Sequence, residues 1–133
     1  MAFADLAGFR AFNNHCGQET GDAVLRLFAG HLRGISGALA IRDGGDEFLV
    51  VGAPTRPRLA EAVDACRATW PDLFRSTFGP DVPMVEPRFV VGSAESRRIA
   101  SLRERLGREI GMTKNEPLAG DGRGLLRIVG EPA

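Results

Sequence analysis

The residues with the clearest chemical potential lie together at Arg42-Asp43-Gly44-Gly45-Asp46-Glu47-Phe48. Two adjacent carboxylates on a glycine turn can be solvated at a hairpin tip, or they can hold a divalent cation. Mg²⁺ prefers oxygen ligands and takes one or two carboxylates together with substrate phosphates. Glycines in such a turn let a nucleotide approach the backbone closely. A further carboxylate, Asp5, ends the short apolar run Met1–Ala4. Acids from two neighbouring strands meeting over metal are the arrangement that two-metal phosphoryl transfer uses. The local residues alone leave the structural and the metal-binding readings open.

The elements that must position these acids follow from periodicity. Met1–Ala4 reads as a buried strand ending at Asp5, and the Gly-, Asn- and His-rich stretch Gly8–Gly17 as a loop. Thr20 or Gly21 would cap a helix carrying Val24, Leu25, Phe28 and Leu32 on one face, stopped by Gly34 and Gly37. Ala38–Arg42 and Phe48–Val51 flank the Gly-Gly and read as a β-hairpin. Pro54 and Pro57 mark a loop. Leu59, Val63, Cys66 and Trp70 then lie on one face of a helix ending near Pro71. Residues 79 to 87 contain three prolines and read as a loop or sheet edge. Arg88–Gly92 is a strand, Ile99, Leu102, Leu106 and Ile110 define an amphipathic helix, and Leu125–Val129 is a last strand after the turn Gly120–Gly124. The order β-α-β-β-α-β-α-β implies an α+β, palm-like or ferredoxin-like domain with a mixed sheet and packed helices, spanning residues 1–133.

Composition sets the outer limits. The chain has 133 residues, and 17 Lys and Arg balance 17 Asp and Glu. That suits one soluble domain and argues against a polyanion-binding surface, so no nucleic-acid partner is expected. No apolar run is long enough to span a membrane and no signal peptide opens the chain, so a cytoplasmic, reduced protein is expected. Cys16 and Cys66, with His15 and His31, have no metal-ligand spacing. The two His read as a loop and a helix-face residue, Trp70 and Cys66 as core. Arg97, Arg98, Arg103, Arg105 and Arg108 read as a solvated helix face paired with Glu104 and Glu109. Every cation is Arg except Lys114.

The chain resembles the GGDEF domain of diguanylate cyclases. Gly44-Gly45-Asp46-Glu47-Phe48 is that signature intact, with Arg42 two residues ahead. Asp5-Leu6-Ala7-Gly8-Phe9-Arg10-Ala11-Phe12-Asn13-Asn14 resembles the family's D-x-D-x-F-K-x-x-N-D segment, and Gly17–Leu25 its G-H-x-x-G-D-x-V-L segment, without a gap. Phe89–Ala94 resembles its S-x-G-V-A strand. The match is dense over residues 1 to 52 and thin after them.

The resemblance implies a nucleotidyl cyclase fold and condensation of two GTP into cyclic di-GMP with release of pyrophosphate. It implies Mg²⁺ or Mn²⁺ held by Asp5 and Asp46, with the Leu6 carbonyl as a further ligand. Glu47 would support the metal, and a hairpin acid would help deprotonate the attacking 3′-hydroxyl. Asn13 and Asp22 would bind guanine. The amides of Gly8, Phe9 and Arg10 would face the phosphates, Gly44 and Gly45 would admit the nucleotide, and Lys114, with Arg108 as second candidate, would be the phosphate cation. A homodimer, at least transient, is required, and an unidentified regulatory partner protein fits a chain whose sequence carries no sensor.

The sequence also departs from the family pattern. Ala7, Asn14, Gln18 and Arg10 replace Asp, Asp, His and Lys. Ile35-Ser36-Gly37-Ala38 occupies the place of the inhibitory R-x-x-D, so product inhibition there is not expected. The family's usual leading helix is not recognisable. A minimal CRISPR-polymerase-like cyclase making another cyclic or linear nucleotide, and a catalytically inactive GTP-binding module, are the alternative readings.

Overall fold

A computed structural model describes residues 1–35, 38–52, 56–92 and 99–129, with the side chains of residues 56–58 and 99 excepted. The elements are β1 (Ala2–Ala7), α1 (Phe9–Cys16), α2 (Gln18–Arg33), β2 (Ala38–Gly44), β3 (Glu47–Gly52), α3 (Arg56–Phe78), β4 (Glu86–Val91), α4 (Ile99–Thr113) and β5 (Leu125–Ile128). The strands form one mixed sheet in the order β2-β3-β1-β4-β5. Only β4 and β5 run parallel; the other pairs are antiparallel. This is the mixed α+β palm arrangement expected from the element order.

The first strand is central and its alternation sorts the two faces. Ala2, Ala4 and Leu6 join Phe48, Val50, Phe89 and Val91 under α1, α2 and α3. Phe3 points the other way, with Leu49 and Val90, against Leu102, Leu106 and Ile110 of α4. Side chains alternate across a strand, so Asp5 shares the α4 face with Phe3. The larger core closes on aromatic contacts: Phe28 meets both Phe48 and Trp70 edge-on, with ring centroids 5.2 and 5.1 Å apart. No helix among the described residues is long and apolar enough to cross a membrane.

Several elements differ from their sequence expectations. Residues 9–16 are helical rather than loop, because Gly8, at φ +81°, turns the chain directly out of β1 and Phe12 buries fully against Phe74 and Phe78. His15 accordingly lies on that helix. The second helix begins at Gln18 with Gly17 as its N-cap, not at Thr20 or Gly21. The third helix passes through Pro71 to Phe78. Proline in a helix interior removes a backbone hydrogen bond. Here the helix is held on both sides of it by Trp70 and Phe74, both fully buried, and by the Trp70 indole donating to the Val85 carbonyl at 2.8 Å. Pro57 belongs to this helix's first turn, where proline is accommodated. Pro87 is not in a loop but in β4, opposite Leu6. Gly124 sits against it so closely that a Cβ would fall 1.7 Å from the Pro87 carbonyl oxygen.

Two charges of α4 pair outside their own helix. Arg103 pairs with Asp43 of β2, and Glu109 with Arg127 of β5. Arg97, Arg98, Ser93, Ala94, Ser36, Gly37 and Pro54 lie outside the described residues.

Candidate active site

The hairpin tip is Gly45-Asp46, between β2 and β3. Gly44 at φ +139° and Gly45 at φ +47° adopt backbone conformations that side chains disfavour. The β2–β3 register shifts between Arg42 and Gly44, a bulge that twists the strand and re-aims the tip. The Arg42 guanidinium Nε donates to the Gly45 carbonyl at 2.9 Å and ties the tip to its own strand.

Behind the tip a row of charged residues crosses the sheet. Asp5 is opposite Glu47 on β3 and opposite Arg88 on β4. Asp5 is buried, and burial together with the negative charge of Asp46 raises its carboxyl above the ordinary 3.8. The Lys114 ammonium, 3.6 Å from Asp5 Oδ2, works against that rise. Lys114 follows the end of α4, and Arg88 fixes that end. The buried Arg88 guanidinium donates to the carbonyls of Thr113 at 2.5 Å and Glu116 at 3.0 Å. Sequence reasoning missed Arg88; its only signal was a charge inside an otherwise apolar strand. Leu6 lies one residue past the last β1–β3 pair, beyond the paired end of that ladder. Arg108 is exposed on α4 and forms no ion pair among the described residues, so Lys114 is the cation the fold brings to Asp5.

The donor set suits a hard divalent cation. The negative charges of Asp46 and Glu47 both act on Asp5. Among the described residues no three His, Cys, Asp or Glu side chains form a closed metal cage. Two facing carboxylates with open positions are what Mg²⁺ uses when phosphates complete its shell.

Beside the carboxylates a cleft of about 360 Å³ opens between α1, α2 and the hairpin. Phe9, Arg10, Asn13, Asp22, Gly45 and Asp46 all line it. Gln18, Leu25 and Arg42, given no ligand contact from the sequence, line it too. Gly8 caps α1 beneath it. A Cβ at Gly8 would fall 2.8 Å from the Met84 carbonyl oxygen, so glycine permits both the turn and the packing. The first α1 amides have no acceptor within their helix, as at any helix start, and Phe12 is the first to bond back to Gly8.

Asn13 reaches α2 at Gly21, where a Cβ would lie 1.6 Å from Asn13 Oδ1. That Oδ1 is buried without a hydrogen-bond partner among the described residues. Gly21 therefore packs the two helices and sets Asn13 beside Asp22, a function its cap-like sequence context did not reveal.

A separate cleft between α2 and α3 includes Ile35, Ala62, Ala65 and Cys66. Burial pushes the Cys66 thiol up to about 12. His31 Nε2 lies 2.8 Å from the Cys66 carbonyl oxygen and 3.0 Å from Thr69 Oγ1, a helix-to-helix contact and not a ligand arrangement.

Comparison with known proteins gives a consistent result. A family model described as diguanylate cyclase, GGDEF domain, matches residues 1–79. The probable diguanylate cyclase DgcF of Escherichia coli K12 is 40% identical over 55 residues, which are 40% of this chain and 18% of that protein. The match thus spans less than a fifth of that relative's length. The GGDEF domain of YfiN (TpbB) from Pseudomonas aeruginosa superposes with a TM-score of 0.75 at 22% identity, covering 98% of this chain and 81% of that one. The GGDEF domain of DgcB from Caulobacter crescentus, solved with c-di-GMP, gives 0.69 at 23% identity, covering 97% and 75%. At such identities the structural matches establish the fold.

Proposed function

The chain belongs to the diguanylate cyclase GGDEF domain family, and from that premise we propose that it condenses two GTP into cyclic di-GMP and two pyrophosphates. The observation that carries this reading is the convergence of Asp5, Asp46 and Lys114 at one end of the cleft between α1 and α2.

In this reading Asp22 and Asn13 hold the guanine. A carboxylate accepts from the N1–H and N2–H of guanine, a donor pair that adenine lacks. The amides of Phe9 and Arg10, with that of Gly8, face the phosphates, in the manner of other helix-start anion sites. Gly44 and Gly45 leave room for the nucleotide against the hairpin backbone. Asp5, Asp46 and the Leu6 carbonyl, with Glu47 in support, would hold Mg²⁺ or Mn²⁺. The ion would supply charge neutralisation at the α-phosphate and acidify the 3′-hydroxyl. Lys114 offsets phosphate charge, with Arg108 left outside the site. One of the hairpin acids, Asp46 or Glu47, takes the proton of the attacking 3′-hydroxyl as its oxygen bonds to the α-phosphorus and pyrophosphate leaves. The chain's contribution is positioning and electrostatics, without a covalent enzyme intermediate.

One chain seats one GTP, so two chains must face each other, at least transiently. The reaction belongs in the cytoplasm, where GTP is available, and a regulatory partner protein would act by bringing two copies together.

The deciding experiment incubates the pure chain with Mg²⁺ or Mn²⁺ and each nucleoside triphosphate in turn, and identifies products by mass. Cyclic di-GMP from GTP alone is expected. An adenine-containing, mixed or linear product would favour the minimal CRISPR-polymerase-like reading, and GTP binding without product the inactive module.

A further inference from the structure

A second cleft adjoins the first. It has a volume of about 350 Å³ and shares Asp22, Leu25 and Arg42 with the nucleotide pocket, but neither Gly45 nor Asp46. It therefore extends from the Asp22 wall and not from the carboxylate end. Arg26 and Arg33 of α2 line it together with Arg42 of β2. Arg26 and Arg33 are two turns apart on one helix face, four and eleven residues after Asp22, so all three α2 residues share that face.

The charge of this cleft is out of balance with the molecule. The chain as a whole has a net charge of zero. Elsewhere Arg67, Arg103 and Arg127 are paired with carboxylates, and Arg88 and Arg75 are spent on backbone carbonyls. Arg26, Arg33 and Arg42 form no ion pair among the described residues, and Arg42 uses only its Nε on a backbone carbonyl, that of Gly45. The one acid in the cleft is Asp22, which the proposed guanine contact engages. Three guanidinium groups then face one concave space without a counter-charge. Their planar forks match phosphate oxygens in pairs, and a concave wall of one sign concentrates anions.

We propose that this arginine cleft is a second anion site, and that its ligand is the phosphate of a nucleotide other than the one seated against Asn13 and Asp22. The first nucleotide's own phosphates are directed to the opposite end, towards α1, Asp46 and Lys114. The identity of the ligand rests on the function proposed above; the anion site itself rests on the three arginines. A second GTP and the dinucleotide product share the required chemistry.

The test is a titration of the ¹⁵N-labelled full chain, without divalent metal so that no turnover occurs, following the arginine Nε–H signals at mildly acidic pH. Inorganic pyrophosphate is the first probe, then GTP, then cyclic di-GMP. Saturable shifts at Arg26 and Arg33 are expected for pyrophosphate, weakened by added salt and about tenfold weaker in Arg26→Gln/Arg33→Gln. Shifts with GTP only beyond the first equivalent would identify a second substrate; shifts with cyclic di-GMP at low concentration would identify product. Three results overturn the proposal: no movement of Arg26 and Arg33, equal non-saturating movement of the exposed Arg108 and Arg123, or unchanged affinity in the double variant. A chain that makes cyclic di-GMP but leaves these signals still refutes this inference alone. Saturable nucleotide binding here with no product under Mg²⁺ refutes the proposed function alone.

Discussion

Asn13 Oδ1 occupies the space into which a side chain on Gly21 would project, 1.6 Å from where its Cβ would be. The two helices that form the nucleotide cleft are thus fitted to each other at one missing methyl group. Gly21→Ala forces Asn13 off α2. The better helix propensity of alanine, worth about 1 kcal/mol, offsets part of the strain. Thermal stability should change little while GTP affinity falls about tenfold or more. Isothermal titration of the variant checks this, and GTP affinity equal to wild type would remove Asn13 from the site.

Asp5 should make the metal-free protein more stable towards acid than at neutral pH, over a defined window. Its folded-state carboxyl titrates above the ordinary 3.8, through burial first and the Asp46 charge second. The folded chain then holds a proton that the unfolded chain has lost. Stability falls as pH rises from 3.8 through the raised value. Asp5→Asn removes that penalty, so its metal-free melting temperature at neutral pH should exceed wild type by on the order of a few degrees, while turnover disappears. Asp46→Ala should also abolish turnover and leave the fold intact. Divalent cation should raise the melting temperature of wild type and of neither variant. A thermal shift series over pH, with and without Mg²⁺, reads all three.

Arg88 is a stability residue with a reach into the site. Arg88→Met leaves the Thr113 and Glu116 carbonyls without their donor. The expected loss is roughly 2–4 kcal/mol, with the Lys114 end of α4 loosened. Urea unfolding measures the loss, and a variant within error of wild type would mean that α4 is held by its apolar face alone.

The two thiols should differ sharply. Cys66 is buried with its thiol pushed up to about 12, whereas Cys16 is half-buried. A disulfide reagent at mildly alkaline pH should modify Cys16 in the native chain and Cys66 only after unfolding, because the thiolate is the reactive form. Equal rates would contradict the packing of α3 against α2.

Much of this architecture was legible in the residues. The Gly-Gly between two apolar runs announced the hairpin, and steps of three and four announced α4. The charged row was legible only in part. Asp5 and Asp46 stand out by type, but the register that sets Asp5 between Glu47 and Arg88 is a tertiary fact. The helix at residues 9–16 was hidden because Asn13, Asn14 and His15 are poor helix formers, and burial of Phe12 overrides them. Pro71 misled for the same reason: a local preference lost to Trp70 and Phe74. Lys114 was singled out by its rarity, but nothing in the sequence places it above Asp5.

The central strand β1 has one neighbour near in sequence, β3, and one far along the chain, β4. A ribosome therefore releases the hairpin and both of its acids well before the strand, the arginine and the lysine that complete their surroundings. The segment matched by the family model ends at residue 79, ahead of all three. Non-local pairing of this kind is slow to form. The nascent chain passes through a stage in which one edge of β1 is open, and the candidate active site is among the last parts of the molecule to be assembled.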